Sequence, residues 1–371
     1  MKPLSLHPLL IVLGITLFTN PLVAQPTRAL WGFEATGAFG GTPQETVAAL
    51  HELGANAVFS NKLSPELLRA LQAANIKVYT TVNVFGDHTL WKRYPHLRPM
   101  TSEGELLAPE QGHGLCPTQR WYWPRVLRAL GQRLDAGYDG VWLDFIRFSG
   151  FWEEARPKLE RTCFCDSTLA DFSRTTGIAF PAELPPASLN ASADSTHARD
   201  WDNAAKAAWI LANHRSAWRS YTSNVIADFV RQAKETLVKK NANATLGLFV
   251  VPWQRDEFNA AILEVLSQDY RKLREHADVF SPMLYHELCS REVEWIARFV
   301  EYTARETSKP VWPIIQSDLG KEHRVSDDTF AAAVLSALDP PSQGVIIFNH
   351  KALLEAKQTR ILGSLWSAKR N

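Results

Sequence analysis

Two charged side chains, Asp144 and Arg147, interrupt an otherwise apolar run of residues in the middle of the chain. The run, residues 139–148, begins with an Asp-Gly turn, is too short for a typical helix and is rich in strand-forming residues. Charges inside a strand that is buried on both faces need a reason. At the carboxyl end of a parallel barrel that reason is usually chemistry, and the alternative is an Asp–Arg ion pair that only closes the strand.

Strand and helix patterns alternate on both sides of this run. The strands are predicted at residues 28–34, 56–60, 77–85, 139–148, 245–253, 278–287, 310–318 and 344–350. Eight strands that alternate with helices predict an α/β fold, the (β/α)8 or TIM barrel. A doubly wound open sheet is the main competitor, but the loop at residues 37–41 fits neither G-x-G-x-x-G nor a P-loop.

The helices between these strands have recognisable starts. Thr42 and Ser64 are each followed by proline and predict helix N-termini. A single long helix is predicted over residues 201–239 and another over 258–276. We therefore expect one barrel domain over residues 25–371, with a long inserted loop region at 149–199 after the fourth strand.

The predicted strands end in polar and aromatic residues, which in such a barrel face one shared pocket. Polar groups there can bind sugar hydroxyls, and rings can stack on the C–H faces of a sugar. The candidate substrate-binding residues are Trp31, Glu34, Asn83, Arg147, Trp253, Tyr285, His286, Gln316, Asp318, Asn349 and His350.

Cleavage of a glycosidic bond needs two carboxyl groups, one to protonate the leaving oxygen and one to attack or to activate water. Asp144 is the predicted nucleophile or charge-stabilising carboxylate, with the positive charge of Arg147 holding it ionised. Glu287 is the first choice for the acid/base, followed by Asp318 and then Glu34. This chemistry needs no cofactor and no metal, and none is expected.

The fourth strand resembles that of glycosyl-hydrolase-like barrel families, in which it ends in a pattern close to D-G-[IV]-x-[FL]-D-[YF]-[IV]-R-[FY]. The matching residues are Asp139, Gly140, Val141, Asp144, Phe145, Ile146, Arg147 and Phe148. The Cys163-Phe-Cys165 turn and the helix that follows it are also similar to these families. The resemblance implies a catalytic carboxylate at Asp144 and a carbohydrate substrate.

The same strand also resembles the chitinase signature D-G-x-D-x-D-x-E, and Met283-Leu-Tyr285 is similar to the sixth strand of that family. However, Trp142 replaces the middle Asp, and Ile146 stands where the acid Glu would be. A mechanism of the chitinase type is therefore not expected. Asp144 has to work with a partner from another strand, or it is not a catalyst.

Two other functions remain open at this point. The first is a carbohydrate-binding barrel without turnover, since function varies freely on this fold. The second is a metal-dependent hydrolase or deacetylase that uses His88, His286 and His350. Against the second, the first strand reads Trp31-Gly-Phe-Glu34 and lacks the H-x-H of such metal barrels.

The N-terminus has the features of a cleaved secretory signal peptide over residues 1–24. Lys2 precedes an apolar stretch at residues 9–18, which Asn20-Pro21 breaks before the small residue Ala24. We expect a secreted or periplasmic protein with a carbohydrate as its partner and no membrane contact after cleavage. The net charge of +1 gives no electrostatic reason to expect nucleic acid binding. The oligomeric state cannot be predicted from these features.

The chain has four cysteines: Cys116, Cys163, Cys165 and Cys289. In an oxidising compartment, disulfides are favoured over free thiols. Cys163 and Cys165 are too close in sequence to pair readily, so we expect one of them to pair with Cys116 or Cys289. A thiolate zinc site is the less favoured alternative because no C-x-x-C pair is present.

Overall fold

Eight parallel strands form a closed barrel in the computed structural model of the protein, and they follow one another around the barrel in chain order. The structure describes residues 25–109, 114–185, 199–320 and 323–368. The strands are β1 (Thr27–Trp31), β2 (Ala57–Phe59), β3 (Lys77–Asn83), β4 (Gly140–Asp144), β5 (Thr245–Val250), β6 (Val279–Leu284), β7 (Ile314–Gln316) and β8 (Gly344–Phe348). β8 pairs with β1 and closes the barrel. The predicted (β/α)8 barrel is therefore confirmed.

Helices surround the barrel and connect its strands. They are α1 (Pro43–Leu53), α2 (Pro65–Ala73), α3 (Trp123–Asp135), α4 (Asp166–Thr176), α5 (Trp201–Asn213), α6 (Arg215–Lys240), α7 (Glu257–Glu264), α8 (Tyr270–Leu273), α9 (Glu294–Thr307), α10 (Asp327–Ala337), α11 (His350–Glu355) and α12 (Thr359–Ala368). The predicted starts at Thr42 and Ser64 are confirmed, since the side chain of each accepts a hydrogen bond from a backbone N–H in the first turn.

Two of the predicted helices are each divided in the structure. The segment 201–239 forms α5 and α6, which are separated at His214 by a backbone that leaves helical geometry. The segment 258–276 forms the shorter α7 and α8. Periodicity did not show these breaks because buried residues continue on both sides of each of them.

Several strands are shorter than predicted at their carboxyl ends. β1 ends at Trp31 rather than residue 34, and β5 ends at Val250 rather than 253. The apolar pattern continues past the strands because the following loop residues are themselves buried, as Phe33 and Trp253 are. Residues that were predicted to end a strand therefore lie in the loops above the barrel.

The barrel interior is packed with aromatic rings below the carboxyl ends of the strands. Trp142 is fully buried and donates its indole N–H to Ser281 Oγ at 3.0 Å. Its ring stacks on Trp312 with centroids 5.4 Å apart and meets the Phe59 ring edge-on at 4.8 Å. Alternate residues of a strand point to the same face, so Trp142 lies on the same side of β4 as Asp144, two residues deeper in the barrel.

Gly247 on β5 makes room for the Trp142 ring. A Cβ at this position would lie 1.9 Å from Trp142 Cε2, which the packed interior cannot relieve. Gly247→Ala is expected to lower the free energy of unfolding by about 3 kcal/mol, as overpacking of a core does. Denaturant unfolding measures this change. The matched control is Gly131→Ala on α3, where the added methyl would meet only Lys240 Cε at 3.5 Å and should be neutral or stabilising.

One predicted segment and part of another lie outside the described residues. They are the predicted signal peptide, residues 1–24, and residues 186–198 of the predicted insertion. The described part of the insertion contains α4 and a bridge between Phe151 and Lys158. Among the helices that the structure describes, none has both the length and the apolar character required to cross a membrane.

Candidate active site

Asp144 lines a cavity of about 200 Å³ at the carboxyl end of the barrel. Trp31, Asp144 and Phe348 are the last residues of β1, β4 and β8, and all three line it. The other lining residues are Phe145, Arg147, Trp152, Glu153, Phe249, Met283, Tyr285 and Ile314. Asp144 is half-buried, so its carboxylate can meet a ligand that enters the cavity. This is the end of the barrel at which active sites of the fold occur.

The backbone around Asp144 holds its carboxylate in one orientation. Its Oδ1 accepts the N–H of Phe145 at 2.8 Å, and Phe145 has a φ of +53°. A bulky residue with left-handed backbone costs about 1 kcal/mol, and such strain is concentrated at functional sites. A Cβ on Gly86 would lie 2.4 Å from the Phe145 ring. Asn83 accepts the Gly86 N–H at 2.7 Å and so fixes this glycine beneath the ring.

A second carboxylate, Glu153, lines the same cavity and was not singled out in the sequence. It lies in the connection after β4 and reaches solvent at the cavity mouth. The preceding residue, Trp152, is buried and stacks on Tyr285 with centroids 5.8 Å apart at 24°. This contact joins the inserted segment to the end of β6 and places Glu153 in the cavity wall.

Arg147 is the positive charge of the cavity. It is buried and donates from Nη1 to the carbonyl oxygens of Phe148 and Gly150 at 3.2 and 3.0 Å. Burial lowers the pKa of its guanidinium to about 10, and the negative charges of Glu153 and Asp144 oppose that shift. Arg147 therefore stays charged at neutral pH beside both carboxylates.

Burial has the largest effect on the pKa of each of the two carboxyl groups. It raises the pKa of Asp144 above its usual range, while the Phe145 N–H and the charge of Arg147 oppose the rise. The expectation from the sequence that Arg147 holds Asp144 ionised did not include this larger effect of burial on the pKa. Burial also raises the pKa of Glu153, opposed by Arg147 and reinforced by the charge of Asp144. Tyr285 faces the same charges, and its pKa is raised by burial and by both carboxylates.

The three carboxylates that the sequence offered as acid/base partners do not line this cavity. Glu287 is exposed to solvent, in the loop after β6. Asp318 accepts the Gly320 N–H at 2.9 Å within its own turn. Glu34 is exposed and pairs with Lys62 at 3.3 Å. The structure therefore brings Glu153, rather than one of these three, next to Asp144.

Of the other predicted binding residues, Trp31, Arg147 and Tyr285 line the cavity. The other predicted binding residues do not line it. Trp253 is buried against Phe258 with centroids 4.9 Å apart. Gln316 is buried and its Oε1 accepts the Leu288 N–H at 3.2 Å. Asn349 caps α11 by accepting the Ala352 N–H at 2.9 Å.

The histidines proposed for a metal site are not brought together. His350 is buried between Phe33 and Phe39, with ring centroids 4.9 and 5.1 Å away, and burial lowers its pKa to about 4. His286 is buried, and this lowers its pKa. Within the described ranges, a group of three or more potential metal ligands occurs only at Cys116, Cys163 and Cys165.

A second cavity of about 200 Å³ adjoins the first and shares Trp31 with it. It lies over the ends of β1 to β3, and its polar lining residues are Glu34, Ser60, Asn61, Lys62 and Thr81. Trp31 is half-buried and contacts Phe348, with centroids 4.8 Å apart. An aromatic ring between an aromatic cavity that holds charged groups and a second, polar cavity is a surface suited to an extended ligand with several hydroxyl groups.

Comparisons with solved structures agree with this architecture. The glycoside hydrolase domain of PgaB (BpsB) from Bordetella bronchiseptica aligns with a TM-score of 0.62 at 10% identity, covering 92% of this chain and 99% of that one. A beta-galactosidase from the psychrophilic Marinomonas ef1 aligns with a TM-score of 0.61 at 11% identity, covering 92% of this chain but only 59% of that one. At these identities the likeness shows the fold alone.

Sequence comparison is more specific. A search of curated protein sequences found no match. A family model described as "Putative glycosyl hydrolase domain" matches residues 44–301, which is more than half of the chain and includes β2 to β6 with both cavity carboxylates. The chain therefore belongs to this glycosyl hydrolase domain family.

Proposed function

We propose that the protein hydrolyses O-glycosidic bonds of an oligo- or polysaccharide with Asp144 and Glu153 as its two carboxyl groups. The observation that supports this most is their position in one aromatic cavity at the carboxyl end of the barrel, beside the charge of Arg147. Glycoside hydrolysis needs such a pair and little else from the protein beyond sugar binding.

The environments of the two carboxyl groups suggest different roles. Asp144 accepts a backbone hydrogen bond, which stabilises its ionised form. Glu153 accepts no hydrogen bond from the described residues at its carboxylate, and the charge of Asp144 favours its protonated form. We therefore assign Asp144 as the nucleophile or general base and Glu153 as the general acid, in place of Glu287.

The aromatic residues of the cavity support a sugar as the ligand. Trp31, Trp152 and Tyr285 present ring surfaces around the two carboxyl groups. The adjoining cavity past Trp31 offers amide, hydroxyl and charged groups that can hydrogen-bond to hydroxyls. A chain of at least two sugar units could occupy both cavities with Trp31 under one of them.

Trp31→Ala is expected to weaken substrate binding more than it slows the chemical step. The loss of one stacking ring should raise KM about tenfold, which corresponds to roughly 1.4 kcal/mol, with a smaller change in kcat. Steady-state kinetics on an oligosaccharide measures both constants. The control is Trp201→Ala, an exposed tryptophan at the start of α5 that lines neither cavity. If both variants change KM equally, the Trp31 ring does not stack on a bound sugar.

The pH dependence of kcat/KM should report the raised carboxyl pKa values. The acid limb of the pH profile is expected at a pH above the ordinary carboxyl pKa of about 4, because burial raises the pKa of Asp144. Arg147 lowers the pKa of both carboxyl groups, so Arg147→Gln should move both limbs to higher pH. Arg147→Lys keeps the charge and should move them less. If the wild type and both variants have the same pH profile, the charge of Arg147 does not affect the pKa of either carboxyl group.

The proposed activity is tested with a panel of aryl glycosides and oligosaccharides, including β-galactosides because some structural neighbours are named as beta-galactosidases. Reducing-end release by the wild-type protein that is lost in Asp144→Asn is the expected result. Saturable sugar binding without any release would instead support the carbohydrate-binding alternative. Release that survives in Asp144→Asn would place the chemistry elsewhere.

We also propose that the protein acts outside the cytoplasm. This proposal is supported by the sequence of residues 1–24, in which a basic residue precedes an apolar stretch and a small residue at the end. Cell fractionation with N-terminal sequencing of the mature protein tests it. The expected N-terminus is near Gln25, and recovery of Met1 in the cytoplasmic fraction would contradict it.

A further inference from the structure

The sulfur atoms of Cys116, Cys163 and Cys165 meet in one place, away from the cavity that holds Asp144. Each of the three Sγ atoms lies within 4.8 Å of the other two. Cys116 and Cys163 are buried, Cys165 is half-buried, and all four cysteines of the chain are free thiols. The disulfide expected from the sequence is therefore not formed in this structure, and three sulfurs converge where a disulfide would use only two.

Hydrogen-bonding groups surround the three sulfurs. The Met100 N–H donates to Cys163 Sγ at 3.3 Å. The Thr168 hydroxyl contacts Cys165 Sγ at 3.1 Å and Cys116 Sγ at 3.5 Å. The other polar contacts are Thr118 Oγ1 with Cys116 at 3.0 Å, Ser167 Oγ with Cys165 at 3.3 Å, and Gln119 Nε2 with Cys165 at 3.6 Å. Donors to sulfur of this kind stabilise thiolate ligands and fix their orientation.

A helix terminus adds to this environment. Cys165 is the N-cap of α4, an eleven-residue helix, so the positive end of the helix dipole lies beside the cluster. That partial charge offsets part of the negative charge that three thiolates would bring together. Polar groups within reach of the sulfurs and a helix N-terminus are features that a cation with three thiolate ligands would require.

We propose that Cys116, Cys163 and Cys165 bind one zinc ion as a structural site. In a tetrahedral zinc site the Zn–S distance of about 2.3 Å places sulfurs roughly 3.8 Å apart, and the convergence of the three Sγ atoms is compatible with that spacing. Zinc takes a fourth ligand; among the described residues no further His, Cys, Asp or Glu joins the three cysteines, so the fourth ligand would be a water or a hydroxyl. The hydroxyls of Thr118 and Thr168, 2.6 Å from each other, lie beside Cys116 and are the nearest protein oxygens known to contact the sulfurs.

The proposed ion would join two distant parts of the chain. Cys116 precedes α3, whereas Cys163 and Cys165 belong to the connection after β4 that also carries Trp152 and Glu153. A metal crosslink there would hold this connection against the barrel. The site does not depend on the proposed glycosidase activity, and metal content can be measured whether or not a substrate is known.

The experiment uses the full chain, expressed with its own N-terminal segment and purified without chelator or reductant. Elemental analysis is expected to give about one zinc per chain. Replacement by Co²⁺ should produce an intense thiolate-to-cobalt charge-transfer band, which only sulfur ligation gives. After denaturation with a chelator, all four cysteines should react with a thiol reagent. None of these readouts requires a variant that might fail to fold.

Two cysteine variants test whether the ion binds at Cys116, Cys163 and Cys165. Cys165→Ser, at the most exposed of the three positions, should lose the zinc or the cobalt band, whereas Cys289→Ser should keep both because Cys289 is outside the cluster. Two outcomes would overturn the proposal. One is a disulfide, seen as two thiols that react only after reduction. The other is a metal-free protein with four reactive thiols that takes up no cobalt.

Discussion

Asp144→Asn is expected to lower kcat/KM on the order of 10⁴-fold while the protein stays folded, because the amide can neither attack an anomeric carbon nor activate water. The side chain is half-buried, and its replacement keeps the shape and the backbone hydrogen bond from Phe145 to Oδ1. The loss should be the same for substrates with good and poor leaving groups. Steady-state kinetics on both kinds of glycoside, with thermal unfolding as the check on folding, measures it.

Two additions sharpen this experiment. If Asp144 is the nucleophile, azide should restore part of the substrate cleavage in Asp144→Ala, whose smaller side chain leaves room for the anion to attack the anomeric carbon and form a glycosyl azide as the leaving group departs. Asp318→Asn serves as the matched control, since this carboxylate binds Gly320 in its own turn and does not line the cavity. A loss of less than tenfold in Asp144→Asn would remove this residue from the chemistry.

Glu153→Gln should show the signature of a missing general acid. The expected loss is on the order of 10²–10⁴-fold for substrates whose leaving group needs a proton. Aryl glycosides with a good leaving group should lose much less in the step that breaks the bond. In the wild type the alkaline limb of the pH profile belongs to the protonated form of Glu153, so it should disappear in this variant.

Glu287→Gln is the matched control for Glu153→Gln and also tests the sequence-based assignment. Glu287 is an exposed carboxylate in the loop after β6, and it does not line the cavity. We expect nearly wild-type kinetics for it on both kinds of substrate. The opposite pattern, with Glu287→Gln inactive and Glu153→Gln active, would restore the assignment made from the sequence.

Local signals were sufficient to predict the architecture. Thr42 and Ser64, each followed by proline, give helix starts whose side chains cap the first turn in the structure. The alternation of such helices with short apolar strands determines the barrel. Asp144 was identified because a carboxylate at the end of a buried strand contradicts the apolar pattern around it.

The proposed partner of Asp144, Glu153, could not be predicted in the same way. Glu153 lies in an inserted connection without periodicity, and its place in the cavity depends on Trp152 stacking on Tyr285, the residue after β6. Such a contact between distant parts of the chain leaves no trace in local spacing. The sequence offered only the weaker hint of an aromatic residue followed by an acidic pair shortly after the fourth strand.

Strand ends that were predicted too far along the chain explain other differences between the sequence analysis and the structure. His286 and His350 were expected at the barrel mouth because the sixth and eighth strands were predicted to run to residues 287 and 350, whereas β6 ends at Leu284 and β8 at Phe348. The structure buries both histidines, and His350 packs between two phenylalanine rings instead of facing a ligand. The meeting of Cys116 with Cys163 and Cys165 is likewise a product of tertiary packing, which spacing alone does not reveal.

The most direct test of the two-carboxylate site is the structure of Asp144→Asn in complex with an oligosaccharide that the wild type cleaves. We predict a glycosidic oxygen within about 3 Å of the Glu153 carboxyl group, with the anomeric carbon facing the side chain at position 144 and a sugar ring on Trp31. A sugar bound with its glycosidic bond beyond reach of Glu153, or next to Glu287, would contradict the account.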